Sequence, residues 1–243
     1  MNTLTITKKI NLSFETAEAL NQFRMNLGFC GNNVRKIMIT SSLPGEGKSF
    51  ISFHLWKMLA ELGSSVLLID CDLRKSAMKT KLGLAGDNLT YGIEHYLSGQ
   101  VNMDEVIYAT DVNNGYMIPA LSSVINPTVL LESDYFSKLM SEAGRKFDYV
   151  ILDTAPVGSV ADALNNAGYC DGTVLVVRSN DTPRKYITHT LELLKRTSTP
   201  LLGIVLNRMD TSSRTSSYYR YYNRKGYDHY YGNGHTKKGG KKA

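Results

Sequence analysis

The chain has 243 residues and 42% hydrophobic content, enough to bury one fair-sized core. Its formal charge of +6 is concentrated at one end: residues 214–243 carry eight Lys/Arg against Asp228, a net +7 that leaves residues 1–213 at −1. A near-neutral body argues against a dedicated nucleic-acid binder, and apolar runs such as VLLI before Asp70 fall far short of the ~18 residues a membrane span needs.

The opening MNTLTITKKINLSFE has no secretory apolar core. Cys30, Cys71 and Cys170 have neither the even count nor the CxxC spacing of a disulfide frame or zinc site, so a reducing cytoplasm is expected. Residues 14–29 read as a helix. From Val34, short apolar runs alternate with amphipathic stretches, as strands and helices do around a parallel sheet. The predicted strands are 34–40, 65–70, 115–119, 147–153, 172–178 and 201–206, and their continuous apolar character suits strands covered on both faces. Helices are predicted at 48–62, 127–144, 159–168 and 183–196, with Pro127 and Pro183 in first-turn positions that accept proline. The expected architecture is an α/β, P-loop NTPase-type, mostly parallel sheet flanked by helices on both faces. It occupies residues 1–213 and is followed by a flexible basic tail, 214–243. Apolar aliphatic residues vanish after about Arg214, so the tail lacks the means to pack. Seven of the fifteen tyrosines (Tyr218, Tyr219, Tyr221, Tyr222, Tyr227, Tyr230 and Tyr231) fall within it.

IMITSSLPGEGKSF, residues 37–50, places a Gly/Pro/Ser loop between a β-rich run and a helix that opens on Lys-Ser. In that order backbone N–H groups of a tight loop point inward, the helix N-terminus adds positive potential and a lysine reaches the outer phosphates. Pro44, Gly45, Glu46, Gly47, Lys48, Ser49 and Phe50 are the nucleotide-binding candidates, with Lys48 on phosphate and Ser49 on Mg²⁺. The strict pattern GxxxxGK[ST] has glycine where this chain has Ser42.

VLLIDCDLRK, residues 66–75, ends a buried strand in acids spaced i, i+2. That spacing puts Asp70 and Asp72 on one side of an extended chain, at the carboxyl edge where open α/β sheets bind ligands. There they can divide metal ligation and proton acceptance; the plainer alternative is a capping Asp70 and a solvated Asp72. A third strand, YVILDTAPV, ends in Asp153, placed as nucleotide hydrolases and kinases hold their metal, through its water. Asn207, after LLGIVL, can pair with an adenine edge or serve as a turn residue.

With SSLPGEGKS, LLIDCDLRK, VILDTAPV, NPTVLLES at 126–133 and the terminal tyrosines together, the chain resembles the bacterial tyrosine kinases (BY-kinases) of capsular and exopolysaccharide synthesis over about residues 14–231. The partition and septum-placement ATPases are the neighbouring group, but their signature loop lysine falls at Leu43 here. The resemblance implies an ATP- and Mg²⁺-dependent autokinase that phosphorylates its tyrosine cluster, in trans between subunits. It implies metal ligation by Ser49, Asp72 and Asp153, and a base at Asp70 that can exchange roles with Asp72. Arg74 steadies phosphate charge or a subunit contact.

The resemblance also implies the cytoplasmic half of a split system, recruited to the inner face of the membrane by a transmembrane adaptor of the chain-length-regulator type. Unphosphorylated subunits would form a ring through an N-terminal ExxRxxR helix motif. Glu18 and Arg24 keep their places in that motif, but Asn21 replaces an arginine and cannot make its bidentate contact. The rival readings are a partition-type ATPase switch, with a tail for lipid or nucleic acid, and a scaffold whose nucleotide is only structural.

Overall fold

Apolar runs that are covered on both faces must find a helix layer on each side, and the folded chain supplies both. The computed structural model describes residues 2–86, 89–159 and 162–209. The tyrosine cluster and the boundary expected at 213/214 lie outside them. In chain order the elements are β1 (Asn2–Ile6), α1 (Phe14–Gly28), β2 (Lys36–Ser41), α2 (Lys48–Glu61), β3 (Val66–Cys71), α3 (Met78–Leu82), β4 (Leu84–Ala85), α4 (Ile93–Leu97) and α5 (Met103–Val106). They continue as β5 (Tyr108–Thr110), β6 (Gly115–Ile118), α6 (Pro127–Leu131), α7 (Asp134–Lys146), β7 (Tyr149–Thr154), α8 (Asp162–Ala167), β8 (Gly172–Arg178), α9 (Arg184–Leu194) and β9 (Leu201–Asn207).

The strands form one sheet in the order β4-β1-β5-β6-β3-β7-β2-β8-β9. The six predicted strands are its contiguous parallel part, β6 through β9. Alternate residues feed two cores. Met38, Leu67, Ile69 and Leu152 pack with Phe136, Leu139 and Met140 of α7, whereas Ile37, Ile39, Leu68 and Ile151 pack with Ile51, Leu55 and Trp56 of α2. Helix α1 starts at Ser13, whose Oγ accepts from Thr16 N at 3.3 Å, and turns Leu20, Phe23 and Leu27 onto the second core.

Three strands were not anticipated. β1, β4 and β5 carry two antiparallel pairings, β1 with β4 and β5 with β6, and span five, two and three residues, too short for a run to declare itself. The single helix expected over 127–144 is two, because Ser133 adopts extended backbone and its Oγ caps α7 by accepting from Phe136 N at 3.4 Å. Pro127 opens α6 as expected, but Pro183 is extended and forms the N-cap of α9 rather than its first turn.

Trp56 ties α2 to the sheet. It is fully buried, and its Nε1 donates to the carbonyls of Val66 (3.1 Å) and Tyr116 (3.0 Å). A Cβ at Gly115 would come within 2.5 Å of its ring, so the strand start must be glycine for the indole to lie there. Trp56→Phe, which loses the donor and part of the ring, is expected to lower unfolding stability by about 1–3 kcal/mol, read as a shift in the urea midpoint by far-UV circular dichroism.

Candidate active site

β2 ends where the phosphate loop begins. Gly45 (φ 83°) and Gly47 (φ 100°) adopt left-handed backbone, and α2 opens at Lys48 immediately beyond. The loop thus runs straight into the N-terminus of a 14-residue helix, where first-turn N–H groups and the helix dipole favour an anion. Asn207, at the end of β9, donates from Nδ2 to the Glu46 carbonyl at 2.8 Å. A Cβ on Gly47 would lie 1.9 Å from that Nδ2.

Lys48 carries the centre. Its Nζ lies 2.8 Å from Asp72 Oδ2, 3.7 Å from Asp153 Oδ1 and 3.5 Å from Ser49 Oγ. Burial alone would lower its pKa; the charges of Asp153 and Asp72 outweigh burial and raise it. Asp153 is held by the hydroxyls of Ser49 and Ser52, the latter at 3.3 Å, yet burial still raises its carboxyl above the usual range.

Asp70 lies directly opposite Asp153 in the β3–β7 pairing. Burial first, and then the Asp153 charge, push it up to about 8, against opposing contacts from the Ser76 hydroxyl, Lys48 and the Asp72 N–H. The Ser76 hydroxyl donates to Asp70 Oδ2, and Asp72 N donates to Oδ1 at 3.2 Å. The i, i+2 acids thus differ in environment: Asp72 is committed to Lys48, whereas Asp70 is committed to Ser76. Cys71, between them, is core.

Lys48, Ser49, Asp70, Asp72 and Asp153 therefore converge. Ser52 and Ser76 join them, and the sequence carries no signal for either, since isolated serines without a motif look like any helix or turn residue. Pro44 and Gly45 are exposed on the loop, and Phe50 is half-buried with its ring against His54 at 4.4 Å. The Glu46 side chain is turned away from the cradle, its carboxyl oxygens accepting from Leu43 N and Thr182 Oγ1. Glu18 and Arg24 sit apart from this site on α1, Glu18 exposed and Arg24 half-buried.

Among the described residues no cluster of three or more His, Cys, Asp or Glu side chains forms a metal cage. Ser49, Asp72 and Asp153 instead offer hard oxygens around Lys48. Such a set fits Mg²⁺, which takes one or two carboxylates and completes its shell with phosphate and water.

Residues 34–197 match the model of an AAA domain family. The chain is 35% identical over 220 residues to the tyrosine-protein kinase CpsD of Streptococcus agalactiae, covering 90% of this chain and 95% of that one. It superposes on the kinase domain of the Escherichia coli tyrosine kinase ETK with a TM-score of 0.73 at 26% identity, covering 82% and 79% of the two chains. The septum site-determining protein MinD of Pyrococcus horikoshii OT3, complexed with Mg-ADP, follows at a TM-score of 0.61 and 25% identity, covering 74% and 72%.

Two outcomes test this geometry. Gly47→Ala puts a methyl group into the Asn207 amide and forces an L residue into left-handed backbone, so ADP binding is expected to be lost in isothermal titration calorimetry while the circular dichroism spectrum is retained. Because Asp70 titrates higher folded than unfolded, the nucleotide-free chain loses stability as pH rises from about 4 to about 8. Asp70→Asn is expected to flatten that decline and to leave the chain more stable than wild type at the alkaline end, measured by urea unfolding across the window.

Proposed function

The chain belongs to the bacterial tyrosine kinases, and from that premise we propose that it is an Mg·ATP-dependent autokinase whose acceptors are the tyrosines of its own C-terminal segment. The observation that carries this reading is the Lys48 ammonium held between Asp72 and Asp153 at the mouth of a glycine loop, with Asp70 beside them.

Phosphoryl transfer is mostly positioning and charge stabilisation. Backbone N–H groups of residues 44–49 and the Lys48 ammonium hold the β- and γ-phosphates, and the carboxylates beside Lys48 keep it protonated. Ser49 and Asp72 would hold Mg²⁺, with Asp153 placed beside them to order its water. When bound, Mg²⁺ neutralises charge on the β- and γ-oxygens. Asn207 lies where strand β9 meets the loop, a position suited to the adenine edge.

Asp70 orients the acceptor phenol and takes its proton. A tyrosine's pKa is about 10, so a carboxylate is a poor ground-state partner for it, even one that burial pushes up in the nucleotide-free chain. Transfer comes late, once the phosphorus–oxygen bond is forming. Asp70 is 1% exposed and engaged by Ser76, so the incoming phenol displaces that hydroxyl. Asp72, committed to Lys48, is the weaker candidate for base.

The acceptors are Tyr218, Tyr219, Tyr221, Tyr222, Tyr227, Tyr230 and Tyr231, presented by a neighbouring subunit. Each phosphate adds about −1.5 to −2 charges, so four roughly cancel the tail's +7. The tail acts as a charge switch that loosens a ring built on Glu18 and Arg24. The face of α1 supports self-association, since Phe14 (62%) and Met25 (52%) stand exposed on it. No helix among the described residues is long and apolar enough to cross a membrane. Recruitment to the inner membrane face is the work of a transmembrane adaptor, and the output is control of capsular or exopolysaccharide polymerisation and export. No role for nucleic acid is needed.

Incubation of the chain with γ-labelled ATP and Mg²⁺, with and without the adaptor's cytoplasmic segment, is expected to label tyrosine. The label should vanish in Lys48→Met and in a chain with all seven tail tyrosines changed to Phe, and Asp70→Asn should bind Mg·ATP but label poorly. ATP hydrolysis without protein labelling would sink the kinase assignment in favour of an ATPase switch; full labelling by Asp70→Asn would remove Asp70 as base.

A further inference from the structure

The phosphate loop contains a carboxylic acid. Glu46 lies between the two left-handed glycines and is 3% exposed, although glutamate is almost never so buried unless paired. In an anion cradle its charge would oppose the ligand, so its direction matters. One carboxyl oxygen, Oε2, accepts from the backbone N–H of Leu43 at 2.8 Å, and Oε1 accepts from the Thr182 hydroxyl. The Glu46 carbonyl takes the Asn207 amide at 2.8 Å. One residue thereby joins the segments that follow β2 and β8 and the end of β9.

The far end of this link is itself anchored. Ser179 N donates to the Asn207 carbonyl at 2.9 Å, Thr182 N donates to the Arg178 carbonyl at 3.2 Å, and Arg178 pairs with Asp181 at 3.2 Å. Thr182 is therefore a fixed post rather than a free loop hydroxyl. The near end closes the front of the phosphate loop, because tying Leu43 N to a side chain three residues on sets the path of Pro44 and Gly45 between them.

We propose that Glu46 is a positioning residue for nucleotide binding: braced on Thr182, it holds the phosphate loop in its ligand-ready curve and keeps its own charge turned out of the cradle. This rests on the reading of the loop as the ATP site. Both carboxyl oxygens of Glu46 are taken up by Leu43 N and Thr182, so the brace acts on binding rather than on the chemical step. A loop already curved before ligand arrives does not have to be ordered by it.

The test is a short series of variants with ADP as the probe in calorimetry and tyrosine labelling as the rate. Thr182→Val, which keeps the shape and removes the hydroxyl, is expected to weaken ADP binding about 5- to 10-fold, within the net worth of one typical intramolecular hydrogen bond. It should raise KM for ATP in step, with kcat within about twofold, because only uniform binding is lost. Thr182→Ser should restore affinity. Glu46→Gln, whose amide can accept from Leu43 N and donate to Thr182, should weaken ADP binding less than Glu46→Ala. Adding Thr182→Val to Glu46→Ala should cost nothing more, since the brace is already gone.

Wild-type affinity in Thr182→Val, failure of Thr182→Ser to restore it, or additive losses in the double variant would each overturn the brace. So would a fall in kcat with KM unchanged. If the ADP series behaves as stated but wild type labels no tyrosine, the kinase assignment fails and the brace stands.

Discussion

A lysine ammonium sequestered between carboxylates organises everything at the carboxyl edge of this sheet. The Lys48 side chain is 11% exposed, and its partners Asp72 and Asp153 are 9% and 1% exposed. Charges so far from water are tolerable only when paired and hydrogen-bonded. Pairing is incomplete, because Asp70 adds a third carboxyl to a centre with one ammonium, and burial answers by raising the carboxyls of Asp70 and Asp153. The nucleotide-free edge is therefore short of positive charge. On the proposed function, a divalent cation bound with a polyphosphate would complete it from both directions, the metal offsetting the acids and the phosphates meeting the lysine and the loop.

The backbone makes the cluster possible. β7 lies between β3 and β2, with Asp153 opposite Asp70 on one side and Ile39 on the other, two residues before β2 ends and the loop begins. A slip of one residue in either pairing would send Asp153 to the other face of the sheet. Register is pinned by the two cores, which read alternate residues of the same strands.

What was legible in the sequence follows from where information is local. The six parallel strands are covered on both faces, and so announce themselves as apolar runs. β1, β4 and β5 are brief, lie toward one side of the sheet, and take their place from pairing rather than from pattern. The motif residues were legible for a related reason: loop, lysine and strand-end acids need fixed spacing along the chain. Their supports were not. Ser52 reaches Asp153 across 101 positions, and Glu46 meets Thr182 across 136. A hydroxyl that matters only through such a contact leaves no trace in its neighbours. The difference between Asp70 and Asp72 was hidden likewise, since spacing puts both on one side and only the fold gives one to Lys48 and the other to Ser76.

The same reasoning bears on how one scaffold serves kinases and septum-type ATPases. The likeness to MinD shows that sheet and loop are shared, so the distinction must be local. Position 43 is where it falls. The signature loop lysine of the ATPase group falls at this position; here the residue is leucine, and its backbone N–H is engaged within its own loop by Glu46. A leucine there supplies no cation to a second nucleotide. In the proposed function, the group that arrives at the loop's open side is a phenol from residues 214–243, where seven tyrosines lie among eight lysines and arginines.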